Sequence, residues 1–258
     1  MAFAELAGKV AIITGAGSGI GLATARALAR EKARLVLSDI SADALEAARA
    51  ELAVEGVDVT VQVTDVSRAG DVAALVEAAV ATYGRIDILV NNAGISQTGM
   101  KPVCEVEEDQ FDAIIGVNLK GVWLGMKYAI PHMTRSGGGA IVNMSSSAGL
   151  VGQAGIAIYA ASKHGVIGLT KAASMEYGMQ GVRINAVCPG AVESPIRAQR
   201  RAQYSEAEWT ERSRAYHPST GRDGLPEEIA SVVLFLCSDG ASNIHATAIP
   251  VDGGRVAQ

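Results

Sequence analysis

The 258-residue chain is 49% hydrophobic, 19% charged and 4% aromatic, and its 22 basic and 27 acidic side chains leave a formal net charge of −5. That apolar content with so little net charge excludes disorder, and 29 glycines without a three-residue period beside three cysteines exclude collagen-like or disulfide-stapled scaffolds. An isoelectric point near 5.4 argues against a nucleic-acid partner, which selects for a basic excess.

Met1 to Val10 lacks a basic stretch followed by an apolar core, so no secretory signal is read there. From Val10 onward, short Val- and Ile-rich runs alternate with Ala- and Leu-rich stretches. The runs cover 10–15, 34–39, 59–65, 86–92, 139–146, 182–190 and 247–254. Each is continuous and rich in Val and Ile, as suits strands buried on both faces of a parallel sheet. Helices are expected between them over 19–31, 42–55, 68–83, 107–132, 157–178 and 226–238. The helix over 42–55 opens on a capping box at Ser41, with Asp43 and Glu46 near its start, and Pro131 is expected to end or kink the helix before it.

This alternation predicts an α/β doubly wound sheet of about seven parallel strands, with helices on both faces and right-handed crossovers. No repeat, low-complexity tract or linker-like break appears, so residues 1–258 read as one domain. Two segments interrupt the pattern. Residues 95–106 form a polar loop. Residues 191–225 mix Arg197, Arg200, Arg201, Arg212 and Arg214 with Ile196, Tyr204, Trp209 and Tyr216, and are expected to form a substrate lid. Its arginines read as a solvated amphipathic helix ahead of a carboxylate grip. The uncharged stretch Ser136 to Ser162 is broken by glycine, serine, asparagine and glutamine, so it reads as interior and active site, and no membrane partner is expected. Cys104, Cys188 and Cys237 read as buried hydrophobes of a reducing, cytoplasmic compartment; the histidines show no ligand spacing, so no metal is expected.

The first strand runs into Gly15-Ala16-Gly17-Ser18-Gly19-Ile20-Gly21. Glycines there let the backbone turn sharply and approach a pyrophosphate, whose charge meets the free N–H groups of the following helix. The spacing is not G-x-G-x-x-G, because Ile20 and Leu22 stand at the third positions. Asp39 ends the second strand, about twenty residues on, where a carboxylate can accept from ribose hydroxyls. It would repel a 2′-phosphate, and no basic residue adjoins it, which argues for NAD over NADP.

Tyr159 and Lys163 stand at i and i+4 on one helical face, and none of the other five tyrosines has a lysine four residues later. A phenol ionises near 10, too high for a base at neutral pH. An ammonium about 5 Å away, at an effective dielectric near 20, supplies roughly 3 kcal/mol, or about two pKa units. The pair is therefore expected to bring the phenol toward general acid–base work.

Taken in order, TGAGSGIG, Asp65-Val66, Asn91-Asn92-Ala93-Gly94, Val117-Asn118, the serine run, YAASK and Pro189-Gly190 resemble the short-chain dehydrogenase/reductase family, in its compact subtype. The likeness spans nearly the whole chain, to Val251-Asp252-Gly253-Gly254, and implies a Rossmann-type sheet. It implies Tyr159 as general acid/base, Lys163 on the nicotinamide ribose, Ser146 on the substrate oxygen and Asn118 anchoring a proton-relay water. Ser145 and Ser147 flank Ser146, so a one-residue slip is open. Gly15, Gly17, Ser18, Gly19, Ile20 and Gly21 would cradle the pyrophosphate, and Asp65 and Val66 bracket the adenine. Asn91 would line the adenosine side, with Ala93 and Gly94 also on the cofactor. Pro189, Gly190, the Val192 backbone and Ser194, where the family often has threonine, would meet the carboxamide. His245, in a departing C-terminal stretch, reads as packing ahead of a subunit or substrate contact. The resemblance further implies a homotetramer and NAD-dependent interconversion of a secondary alcohol and a ketone. Reduction of 3-oxoacyl thioesters and a catalytically silent NAD sensor stand as alternatives.

Overall fold

The computed structural model describes residues 3–54, 56–194, 197 and 201–257. Its strands are β1 (Val10–Thr14), β2 (Arg34–Asp39), β3 (Val59–Val63), β4 (Ile88–Asn91), β5 (Gly139–Met144), β6 (Val182–Pro189) and β7 (Ala248–Val251). They form one parallel sheet in the order β3-β2-β1-β4-β5-β6-β7. Ile12 of β1 pairs with Val36 on one side and Leu89 on the other. The helices are α1 (Gly19–Arg30), α2 (Ala42–Val54), α3 (Ala69–Tyr83), α4 (Glu108–Ile115), α5 (Gly121–Arg135), α6 (Ala157–Tyr177), α7 (Glu206–Tyr216) and α8 (Pro226–Cys237).

The two faces of the sheet are covered because the central stretches of its strands are apolar on both sides. Ala11 and Ile13 pack into the layer of α1, α2 and α8, and Val10 and Ile12 into that of α3, α5 and α6, all four without solvent exposure. Each Val or Ile so buried contributes roughly 1.5–3 kcal/mol. The α/β architecture and the strand runs match the sequence expectation, with boundaries shifted by one or a few residues.

Local details differ. Pro131 does not end its helix, which continues to Arg135. Ile130 and Met133 on either side are buried against the sheet, and that packing outweighs one missing backbone bond. Only half the box at Ser41 forms: its hydroxyl accepts from Ala44 N at 3.2 Å. The residue that should reciprocate is Ala44 itself, and Glu46 pairs with Arg49 instead. Cys188 and Cys237 are buried as expected, whereas Cys104 is exposed in the 95–106 region.

Beside β1 the strand order reverses, with β2 on one side and β4 on the other, which opens a crevice at the strands' carboxyl ends. Residues 15–21, 39, 92–94, 145–147 and 189–190 all lie at or just past those ends. Residues 191–225 leave β6 and return to α8. The two feet of this segment are tied together by Glu193 N to Gly224 O and Gly224 N to Ala191 O, both 2.9 Å. Pro195, Ile196 and Arg200 of the segment lie outside the described residues. Among the described residues no helix is long and apolar enough to cross a membrane.

Candidate active site

The glycine turn is forced by close approach. Gly15 has φ +64, and a Cβ there would lie 2.9 Å from Ala93 Cα; a Cβ at Gly21 would lie 2.1 Å from Gly15 O. The turn is clamped from β4. Asn92 Nδ2 donates to Thr14 O (2.9 Å) and Gly15 O (3.1 Å), while Asn92 N and Ala93 N each donate to Thr14 Oγ1 at 3.0 Å. Past the turn α1 begins with Ser18 as its extended N-cap and no acidic residue in its first turn, and beside Gly19 there is open space. Free N–H groups and an uncompensated dipole make this end fit a phosphate.

Asp39 sits at the end of β2, half-buried. Its Oδ2 accepts from Gly17 N at 3.0 Å and its Oδ1 from Ser41 N at 3.1 Å. Gly17 is required there, since a Cβ would meet Asp39 Oδ2 at 3.0 Å. Asp65 turns inward on its own loop, its Oδ1 accepting from Ser67 N (2.9 Å) and Ser67 Oγ (2.7 Å). Val66 is buried against Gly121. Asn91 does not present its side chain to the crevice: its Nδ2 donates to Asn143 Oδ1 at 2.8 Å, beneath α5. Gly94 does reach the crevice, Ala93 packs beside Val66 and against the glycine turn, and Asn92, to which the sequence reading gave no role of its own, shapes the crevice.

The chemistry-bearing side chains converge over Gly94. After β5 the chain turns at Ser145 to Ser147. Ser145 Oγ donates to Lys163 O at 2.9 Å, so it is structural, whereas the Ser146 hydroxyl accepts from Ala148 N at 3.2 Å and lines the same cavity as the Tyr159 phenol, close enough to favour its ionisation. Tyr159 stands in the first turn of α6 and Lys163 one turn on. The lysine Nζ donates to Met144 O at 2.9 Å and lies 5.8 Å from the Tyr159 ring centroid. Asn118 comes in on a π-helical turn, Gly116–Lys120, the kind of insertion that redirects a side chain out of a regular helix. Wholly buried, it accepts from Ile95 N at 2.8 Å and donates to Ile95 O at 2.9 Å. A Cβ at Gly94 would lie 3.2 Å from Asn118 Oδ1 and 3.4 Å from Lys163 Nζ. All four expected catalytic residues are therefore brought together.

The electrostatics depart from the sequence estimate. Burial pushes the Tyr159 phenol above its ordinary value, opposed by the nearby Ser146 hydroxyl, and the nearby Tyr216 adds to the rise. Burial also lowers the Lys163 ammonium to about 8. Dehydration dominates both shifts, and the ammonium is turned to the Met144 carbonyl. Burial likewise raises the Cys188 thiol to about 11, and Cys237 to about 12.

A cavity of about 180 Å³ leads from Ile20, Asn92 and Gly94 to Ser146, Tyr159 and Lys163, past Pro189, Gly190 and Val192. These residues fit a dinucleotide laid across the strand ends. A second cavity, of about 680 Å³, has Ser146 and Tyr159 in its wall and is bounded by Gln97, Met100, Ile156, Trp209 and Tyr216, with Arg197, Arg212 and Arg255. Ser194 lies elsewhere: its Oγ accepts from Arg197 N at 3.2 Å, in a neighbouring cavity beside Gly19. Gly190 is held bare by His217, whose Cε1 would be 2.7 Å from a Cβ there. His217 Nδ1 faces Asp252 O at 2.7 Å, and its Nε2 lies 3.4 Å from Asp223. Asp223 is in turn bound by Arg197 through Nε (2.8 Å) and Nη2 (2.7 Å). The pairing of Asp223 with residues so distant in the chain left no local sequence signal. His245 packs near Gly178 at the far end of α6, away from Tyr159.

A family model described as Enoyl-(Acyl carrier protein) reductase matches residues 15–255. Levodione reductase of Leifsonia aquatica is 41% identical, over 96% of this chain and 94% of the relative. A crystal structure of levodione reductase matches with a TM-score of 0.91, over 96% of this chain and 98% of the other. Cyclohexanol dehydrogenase of Acinetobacter sp. (strain SE19) is 42% identical, over 95% and 94% of the two chains. The 3-oxoacyl-acyl-carrier-protein reductase of Thermotoga maritima is also 42% identical, over 98% and 99%. Fold, convergent side chains and relatives agree: the chain belongs to the short-chain dehydrogenase/reductase family, as an oxidoreductase acting on CH–OH groups.

Proposed function

We propose that the protein is an NAD-dependent dehydrogenase that interconverts a secondary alcohol and a ketone, with Tyr159 as general acid/base. The observation that carries this reading is the meeting of Tyr159, Ser146, Lys163 and Asn118 where a crevice fit for a dinucleotide joins a cavity fit for a substrate. When bound, the nicotinamide accepts the hydride of the carbinol carbon. The chain's own residues do the rest. Tyr159 Oη takes the hydroxyl proton, and the Ser146 hydroxyl donates to the oxygen on which charge develops. Lys163 Nζ supplies the positive field that favours the phenolate. Asn118 fixes the Ile95 backbone beside Lys163, through which a proton can pass to solvent. No protein metal site enters this scheme.

Asp39 supports NAD. Its carboxylate is held at the β2 end by two backbone amides, where it can accept from ribose hydroxyls and would repel a 2′-phosphate. The likeness to a 3-oxoacyl-acyl-carrier-protein reductase supports a second reading, thioester reduction. Residues 191–225 act as the lid over the substrate in either case, and the whole chain acts as one dinucleotide-binding domain. Exposed Phe111, Trp123, Met175 and Met179 on α4 to α6 and the turn beyond support assembly into a homotetramer through that layer. We assign the protein to the cytoplasm on its free thiols.

Tyr159→Phe is expected to abolish turnover while the dissociation constant for NAD stays within about twofold. Near-wild-type turnover would remove Tyr159 from the mechanism. Comparing kcat/KM for NADH and NADPH tests the cofactor: a strong NADPH preference overturns the NAD assignment and favours the thioester reading. Tight NAD binding without reduction across a panel of linear, cyclic and aromatic alcohols would mark a silent sensor.

A further inference from the structure

We propose that Arg212 and Arg255 form an anion-recognition site in the substrate cavity, so that the preferred alcohols carry a carboxylate remote from the reacting carbon. This specifies a substrate class and rests on the dehydrogenase reading above. The lining of the 680 Å³ cavity carries the case. Among the described residues it holds three guanidinium groups and no carboxylate, in a chain whose net charge is −5.

The three arginines are not equivalent. Arg197 is already matched by Asp223 in a two-point contact. For Arg212 and Arg255 no carboxylate partner within salt-bridge distance is found among the described residues. Each is instead laid over an aromatic face: Arg212 Cζ is 4.5 Å from the centre of Tyr204, and Arg255 Cζ is 4.5 Å from the centre of Tyr216. Stacking of this kind fixes the plane of a guanidinium and leaves its edge donors free. Glu208, one turn before Arg212, is engaged first by the Ser205 amide and hydroxyl; the Arg212 charge acts on it only as the smallest influence, with no contact within salt-bridge distance.

The helix sets the direction. Trp209, Arg212 and Tyr216 recur at i, i+3 and i+7 on α7, so all three face the cavity together. Tyr216 touches both ends of the site: Arg255 lies over its ring, and its phenol is close enough to Tyr159 to raise that group's pKa. One aromatic ring thus separates a free guanidinium from the proton-exchanging phenol. That arrangement suits an acid in which a ring or short chain separates the carbinol carbon from the carboxylate, held at one end by a two-point contact and at the other by Ser146 and Tyr159.

The test compares 4-hydroxycyclohexanecarboxylate with its neutral carboxamide, with NAD, in wild type, Arg212→Gln, Arg255→Gln and Arg255→Lys. Wild type is expected to favour the acid by about tenfold or more in kcat/KM. Each glutamine variant should lose that preference, while turnover of the carboxamide and KM for NAD stay within about twofold; lysine at 255 should restore part of it. Equal use of the two compounds by wild type, or equal loss of both in the variants, overturns the proposal. So does a shift confined to KM for NAD, which would put the arginines on the cofactor. Calorimetric binding of unreactive cyclohexanecarboxylate to the NAD-loaded protein reads the site without turnover. Binding that the glutamine variants abolish, in a protein that oxidises neither alcohol, upholds the anion site and discards the dehydrogenase reading. Absent binding and absent preference discard the site alone.

Discussion

Asp223→Asn is expected to destabilise the protein at neutral pH and to lose that effect in acid. Asp223 is nearly buried and Arg197 only 23% exposed, so their two-point contact is poorly screened. Arg197 and His217 hold the Asp223 carboxyl at about 2, against an ordinary 3.8, although its burial works the other way. A depression of that size corresponds to about 2 kcal/mol of stability at pH 7. Asparagine puts an amide N–H₂ where a guanidinium already donates, so most of this is forfeited; at about 2–4 °C per kcal/mol for a chain of this length, Tm should fall by about 4–8 °C. The sign with pH follows from the depression. The folded state holds the proton less tightly than the unfolded one, so the stabilisation is complete above the unfolded pKa and disappears as pH falls through it toward 2, roughly between pH 5 and pH 2. Urea unfolding followed by circular dichroism at pH 7, 5 and 3 measures the gap between variant and wild type. Equal stabilities at pH 7, or a gap undiminished at pH 3, would refute the ion pair as its source. Arg197 also covers Trp209 at 4.6 Å, so the variant should raise KM for substrate more than it lowers kcat.

Lys163→Met should lose turnover without losing stability. Lowering its amine from 10.5 to about 8 means that keeping it charged at pH 7 costs about 3 kcal/mol, which methionine avoids; a Tm several degrees below wild type refutes this. Because burial raises Tyr159, kcat/KM for alcohol oxidation should climb as pH rises from 7 to 9, and a flat profile would deny the phenol its role as base. Gly21→Ala should destroy dinucleotide binding, since its Cβ would strike Gly15 O, whereas Gly19→Ala, with φ +52 but open space, should cost about 1 kcal/mol of stability; fluorescence titration with NADH separates them. Ser146→Ala should lower kcat by about 10²–10³-fold and Ser145→Ala should act mainly on Tm, and the reverse ranking would show that the hydroxyl roles are exchanged.

The sheet was legible in the sequence because strands buried on both faces are rich in Val and Ile without alternation, and seven such runs stand out against the helical stretches. Tyr159 and Lys163 were legible because a single helical turn relates them. What escaped depends on contacts between distant segments. Asn91 and Asn92 look alike, yet strand alternation turns Asn91 under α5 beside the face of Leu89 and sends Asn92 to the glycine turn. Asn118 reaches Gly94 only because a π turn rotates it inward. The pairing of Arg197 with Asp223 and the stacking of Arg255 on Tyr216 join residues 26 and 39 positions apart, beyond the reach of any local pattern. One signal went unused: Ser205 and Glu208 form a complete capping box at the start of α7, with Glu208 Oε2 accepting from Ser205 N at 2.8 Å.

The paired feet of the 191–225 segment have a consequence for how such a chain can change. Ala191, Glu193 and Gly224 close the loop at its base with backbone bonds alone, which any sequence between them can keep. The groups proposed to exchange protons sit outside that loop, just past β5, on α6 and on the π turn. Under the proposed function, transplanting the interior of the loop from one homologue to another therefore rewrites selectivity while the proposed reacting centre is left as it stands.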